Sequence, residues 1–322
     1  QAANRINSKE HYLYFITSRD MAFQYLISGE VAQAKEVITK LSNSPYKHLV
    51  SKDIKLIFTQ AFIVLNEKDT KKAKELGEQV VNYSAQYPGI LLLLGTVNAQ
   101  EKNYEQAERQ LKEFTTKFPN HIQARRLLGL VQVSKNDPKT ALNTLKPVLD
   151  AEKPDLPSLA LMANAALMTG NPAQSSSYFH QALEQKPDES SLVFGLARSL
   201  IAQQDYNSAI EELKKIPESS DQILTARLAI IQTYIQAKKY NDALASIESL
   251  PTEQQNSALV TSIKGTVLLI SGKTDEANIY FEKALEIKPG YFTALRQMAI
   301  MAIREGDKEK TAAIFEAALK TN

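Results

Sequence analysis

No cysteine occurs among the 322 residues of this chain, which excludes disulfides, thiolate zinc sites and thiol catalysis together. Tryptophan is absent too, and aromatic residues amount to 7%. Excess charge is also missing. Lysine and arginine total 38 against 36 acidic residues, a net charge of +2, so nothing here resembles the basic footprint of a nucleic-acid-binding domain. Long apolar runs are lacking. The longest uncharged stretch, Leu156 to Leu183, is interrupted by Gly170, Asn171 and Pro172, and its apolar part falls short of the ~20 residues that cross a bilayer. Period-2 alternation never persists, so strands are not expected. The chain opens at Gln1 with no signal-like apolar segment near it and is expected to be a mature or trimmed fragment.

Catalytic constellations are equally scarce. His11, His48, His121 and His180 are dispersed, with no pair spaced to converge on a metal or a proton-transfer site. Ser271-Gly272-Lys273-Thr274 ends like a phosphate-binding loop, but Val267 stands where that loop needs its first glycine. Asn82-Tyr83-Ser84 fits a glycosylation sequon on an expected helix. Acidic residues alternate with lysines, as in Lys71-Lys72-Ala73-Lys74-Glu75, the pattern of solvated helix faces. These absences predict a protein that is not an enzyme and uses no cofactor and no metal.

What the chain does have is a period. Ala73, Ala107, Ala141, Ser175, Ala209, Ala243, Ala277 and Thr311 follow one another at intervals of 34 residues. A second small register leads by 12: Ala61, Gly95, Gly129, Ala163, Ala197, Gly265 and Ala299, with Ile231 as its one large member. Pro119, Pro187 and Pro289 close three of the units. This pattern resembles the tetratricopeptide (TPR) repeat, a helix–turn–helix hairpin. The resemblance implies an all-α fold, an α-solenoid wound as a right-handed superhelix of about nine TPR units. The units fall at 15–48, 54–87, 88–121, 122–155, 156–189, 190–223, 224–257, 258–291 and a partial 292–322, one array over 1–322. Small residues such as Gly265 and Ala277 let the two helices of a hairpin approach, and Phe281 fills the space beneath them. Glycine or asparagine is expected to turn the chain between helices at Gly29, Asn103, Asn136, Gly170, Gly272 and Gly306. Residues 1–7 are expected to fray, with Ser8 capping the first helix.

Helix-A residues pointing away from the packing registers are expected to line a concave groove: Phe58, Phe62, Leu65, Arg126, Leu161, Asn164, Phe194, Arg198, Gln232 and Arg296. Leu92, Thr96, Leu130, Leu228, Ser262, Thr266 and Ile300 share their phase. The expected occupant is a protein or peptide segment. A polysaccharide held by the groove's aromatic and polar side chains is the alternative, and nucleic acid is not expected. The segments Gln123 to Gly129, Asp137 to Leu142, Leu145 to Leu149 and Tyr280 to Leu295 further resemble the TPR-repeat lipoproteins of the PEP-CTERM/exosortase system of Gram-negative bacteria. That resemblance implies a scaffold in an exopolysaccharide-linked envelope assembly, in the periplasm or at the outer membrane. Membrane attachment would come only through an anchor that this chain lacks. A cytoplasmic TPR adaptor is the alternative.

Overall fold

A computed structural model describes residues 2–83, 89–149 and 154–320. All regular structure in these residues is helical, without a strand. The chain forms two compact units, Gln1–Thr169 and Gly170–Asn322. The first holds α1 (Ala2–Ile27), α2 (Val31–Ser42), the single turn α3 (Lys47–Val50), α4 (Ile54–Asn66), α5 (Thr70–Tyr83), α6 (Ile90–Gln100), α7 (Tyr104–Lys117), α8 (Ile122–Ser134), α9 (Pro138–Leu149) and α10 (Leu156–Met168). The second holds α11 (Pro172–Gln185), α12 (Ser190–Ala202), α13 (Tyr206–Leu213), α14 (Ile223–Gln236), α15 (Tyr240–Glu248), α16 (Thr252–Gln255), α17 (Ala258–Ile270), α18 (Thr274–Ile287), α19 (Phe292–Glu305) and α20 (Lys308–Lys320). Ser8 does not start the first helix, because α1 already begins at Ala2. The sequon's Ser84 lies outside the described residues.

Each 34-residue period delivers an antiparallel hairpin because its small residues vanish at the crossing. Ala73, Ala107, Ala141, Ala209, Ala243 and Ala277 are fully buried. The glycines opposite them leave room for one large side chain. A Cβ on Gly95 would stand 2.7 Å from Leu111, one on Gly129 2.9 Å from Leu145, and one on Gly265 2.8 Å from the Phe281 ring. Leu111, Leu145 and Phe281 occupy the same place in their repeats and all have 0% exposure. Ile231, the large exception, is also buried. Burial of this kind, at roughly 25 cal/mol per Å² of apolar surface, is the main stabilising term, and each hairpin draws it chiefly from its immediate neighbours.

The turn between the two helices of a hairpin is left-handed at a fixed phase: Lys68, Lys102, Asn136, Gly170, Gln204, Lys238, Gly272 and Gly306 all have positive φ. At Lys102-Asn103 the sequence expectation was displaced by one residue. Lys102 carries φ 61°, and Asn103 stays at −81°. A β-carbon in this region costs about 1–2 kcal/mol. The reversal imposes it anyway, since the following amide must reach back to close the helix: Asn103 N–H to the Asn98 carbonyl at 2.8 Å, Lys239 N–H to Tyr234 at 2.9 Å. The next helix is then capped by an aspartate in several repeats, with Asp69, Asp137, Asp205 and Asp307 accepting from Lys72, Thr140, Ser208 and Lys310 N–H.

Candidate functional site

From α8 onward the first helix of each hairpin (α8 and α10 in one unit, α12, α14, α17 and α19 in the other) leaves a stripe of residues along one side uncovered, whereas on α4 and α6 only the last residues, Asn66 and Gln100, are exposed. In the second unit Ser191, Arg198 and Ala202 are exposed on α12, Thr225, Gln232 and Gln236 on α14, Leu259 and Ile270 on α17, and Arg296, Ile300, Ile303 and Arg304 on α19. In the first unit the same stripe exposes Gln123, Leu130 and Ser134 on α8 and Pro157 and Met168 on α10.

The structure separates the candidate residues into three groups. Arg198, Gln232 and Arg296 are exposed; Phe62, Arg126, Leu161, Asn164 and Phe194 are partly covered. Phe58 and Leu65 are corrected outright: both are buried, at 6% and 3% exposure, and line no groove. The Phe58 ring slides beneath Gly89, where a Cβ would stand 2.4 Å away. It packs edge-on against Phe62, with centroids 4.9 Å apart, and against Phe23 of α1 at 6.2 Å. Ser262 is likewise fully buried. Asn164 spends its amide on its own helix, donating to the Ala160 carbonyl at 2.8 Å.

Sequence reasoning missed a small polar cluster at the start of α8. Asn120, His121, Gln123, Arg126 and Asp155 line a shallow cavity of ≈ 410 Å³. Arg126 Nη1 donates to Asp155 Oδ1 at 2.7 Å. Burial pushes the Asp155 carboxyl up. The Ser158 hydroxyl and N–H, at 2.8 and 3.1 Å, and the Arg126 guanidinium outweigh it and hold the group below the usual carboxylate range. Arg126 is therefore committed to ordering the start of α10.

His121 caps α8, its Nδ1 accepting the Ala124 N–H at 3.1 Å beside the Phe114 ring. Burial lowers its pKa below the ordinary 6.5. A depressed histidine stabilises the fold while neutral, above about pH 6.5, and that contribution is lost as pH falls through the folded-state pKa. His121→Asn keeps an accepting cap that does not titrate, so its urea midpoint should fall less than the wild type's between pH 7.5 and 5.5. The difference is bounded by a cap's worth, about 0.5–2 kcal/mol, and sits at the low end because the imidazole is only partly covered. Parallel pH profiles for the two proteins would show that the cap does not depend on the neutral ring.

No group of three or more His, Asp or Glu side chains capable of holding a metal occurs among the described residues, and none of their helices is long and apolar enough to cross a membrane. Hairpins in a fixed register, with side chains of the first helix uncovered from α8 onward, define a helical-repeat scaffold.

Comparison with known proteins agrees. A family model described as "Protein kinase G tetratricopeptide repeat" matches residues 64–255, more than half of the chain, and a further tetratricopeptide repeat model matches residues 263–291. The chain belongs to the protein kinase G tetratricopeptide repeat family. It is similar to the TPR repeat-containing protein YpiA of Bacillus subtilis (strain 168), 20% identical over 311 residues that cover 95% of this chain and 72% of that protein. It also matches Tetratricopeptide repeat protein 34 of Homo sapiens, 29% identical over 102 residues, 32% of this chain and 18% of that protein. Among solved structures, a tetratricopeptide repeat protein from Parabacteroides merdae superposes with a TM-score of 0.55 at 15% identity, covering 81% of this chain and 98% of that one. TPR proteins generally act as protein-interaction scaffolds.

Proposed function

We propose that this chain is a non-enzymatic scaffold that holds a protein or peptide segment on the uncovered stripe of its A helices. One observation carries the reading. Arg198, Gln232 and Arg296 project into solvent, and among the described residues no hydrogen bond or ion pair engages their side chains. Arginine is among the residue types that dominate binding hot spots. On the sequence resemblance to the PEP-CTERM/exosortase lipoproteins, we place this scaffold in an exopolysaccharide-linked bacterial envelope assembly, at the periplasmic or outer-membrane face. Fractionation of the source cells checks that placement: recovery only in the cytosol would favour an adaptor there.

Arg198→Ala, Gln232→Ala and Arg296→Ala in one protein should weaken a partner cross-linked at the stripe and identified by mass spectrometry. A true hot spot costs at least ~2 kcal/mol, about thirtyfold in affinity. The melting temperature should stay close to that of the wild type, because these side chains are exposed. Full retention of the partner would move the binding surface to the B helices.

A further inference from the structure

Within each 34-residue unit from residue 54 onward, the second, fifth, ninth, twelfth and thirteenth places share the phase of the stripe, although some of them, such as Phe58, Leu65 and Ser262, are buried. Not one is aspartate or glutamate, although the chain as a whole has 36 acidic residues for 38 basic ones. Five are basic: Lys55, Arg126, Arg198, Arg296 and Arg304. Their fates differ by unit. In the first unit Lys55 pairs with Asp20 at 2.9 Å and Arg126 with Asp155 at 2.7 Å. In the second unit Arg198, Arg296 and Arg304 are all exposed, and no ion pair or hydrogen bond engages their guanidinium groups among the described residues. The nearest acid in sequence to Arg296 and Arg304, Glu305, comes at the end of α19, one place beyond the stripe, and the nearest to Arg198, Asp205, lies beyond the end of α12. Elsewhere in the same unit exposed lysines do find carboxylates, as with Lys214 and Glu211 or Lys215 and Glu212.

A second feature adjoins one of these cations, Arg296. A hollow of ≈ 210 Å³ opens on α19 and α20, lined by Phe292, Leu295, Ala299, Ile300 and Ile303, with Arg296 the one charged residue on its wall. Unpaired guanidinium groups, one of them beside an apolar hollow, match a ligand that carries carboxylates and a large apolar side chain. Nucleic acid matches less well. Stacking platforms for bases are few along the stripe: Phe194 is partly covered, the residues between the arginines are threonine, glutamine, leucine and isoleucine, and the exposed Phe292 ring lies in the hollow itself.

We propose that the second unit recognises an acidic peptide, its carboxylates on Arg198, Arg296 and Arg304 and an apolar side chain in the hollow beside Arg296. This rests on the reading of the A-helix stripe as the binding surface and adds the partner's chemistry to it.

Panning a displayed library of random peptides on the full chain tests it. Selected peptides should be enriched in Asp and Glu next to Leu, Ile or Phe. Arg198→Gln, Arg296→Gln and Arg304→Gln together should weaken the selected peptides by about tenfold or more, and added salt should do the same. Lys214→Gln, Lys215→Gln and Lys283→Gln, which remove equal charge from outside the stripe, should change little. Circular dichroism should show both triple variants folded. Selected peptides without acidic enrichment, unaffected by the arginine changes, overturn the proposal. If those peptides are still lost on Gln232→Ala with Ile300→Asp, the stripe reading survives without it. Tighter binding of a single-stranded oligonucleotide through the same three arginines also overturns it. A library that yields no binder counts against both.

Discussion

Phe281→Ala should destabilise the protein by about 3–5 kcal/mol, the cost of emptying a fully buried aromatic site. Phe281 has 0% exposure and fills the space that Gly265 leaves open across the α17–α18 hairpin. Its cluster includes Leu268, Ala277, Ala284, Leu295 and Met298, so the cavity would touch α17, α18 and α19. Neighbours on three helices cannot all move in, which puts the loss at the upper part of the range. Ile279→Ala, on the same helix but half-exposed, should cost under about 1 kcal/mol and serves as the control. Urea unfolding followed by circular dichroism measures both. Because stability in such arrays is built from neighbour contacts, hydrogen exchange should show α17 to α19 losing protection first. A loss below about 1 kcal/mol for Phe281→Ala would mean that the register linking Gly265 to Phe281 is misassigned.

The same register explains why so much of the fold was legible beforehand. A close helix crossing tolerates only small side chains, so sterics stamp a 34-residue period on the sequence, and the hairpins at Gly95–Leu111, Gly129–Leu145 and Gly265–Phe281 follow from it. The turn residues were less legible. Lysine at Lys68, Lys102 and Lys238 gives no local sign of positive φ; only the period marks the place, and the packing of the hairpin overrides the local preference. The uncovered stripe was legible in part. Arg198, Gln232 and Arg296 stand in water because their polar heads gain nothing from burial. Phe58 has the same phase as Arg126 and Arg296 but is apolar, and Gly89 opens a slot into which its ring goes. Whether a helix face is covered thus depends on the size of residues in the adjoining repeats, which phase alone does not carry. The distinction between free and paired cations was invisible for a similar reason, since Asp155 meets Arg126 from 29 residues away.

Gly195→Ala offers a prediction whose sign alone is decisive. Gly195 lies inside α12, and alanine is normally favoured over glycine in a helix interior by about 1 kcal/mol. On helix propensity, the substitution should therefore stabilise. Packing argues the reverse. A Cβ at Gly195 would stand 2.3 and 2.4 Å from atoms of the Phe179 ring of α11, which is itself only 2% exposed. A buried ring is rigid and has no solvent into which to swing, so the helices must separate or the ring leave its rotamer. Overpacking of this kind costs about 1–3 kcal/mol, enough to outweigh the propensity gain. Phe179→Leu removes the ring atoms that collide and should cost about 1 kcal/mol by itself. In the double variant the new methyl group meets open space, so its destabilisation should fall short of the sum of the single effects, by about 0.5–3 kcal/mol in a double-mutant cycle. Thermal and urea unfolding of the four proteins measures the cycle. A Gly195→Ala protein more stable than the wild type, or a cycle that is simply additive, would show that α11 and α12 do not meet through this ring.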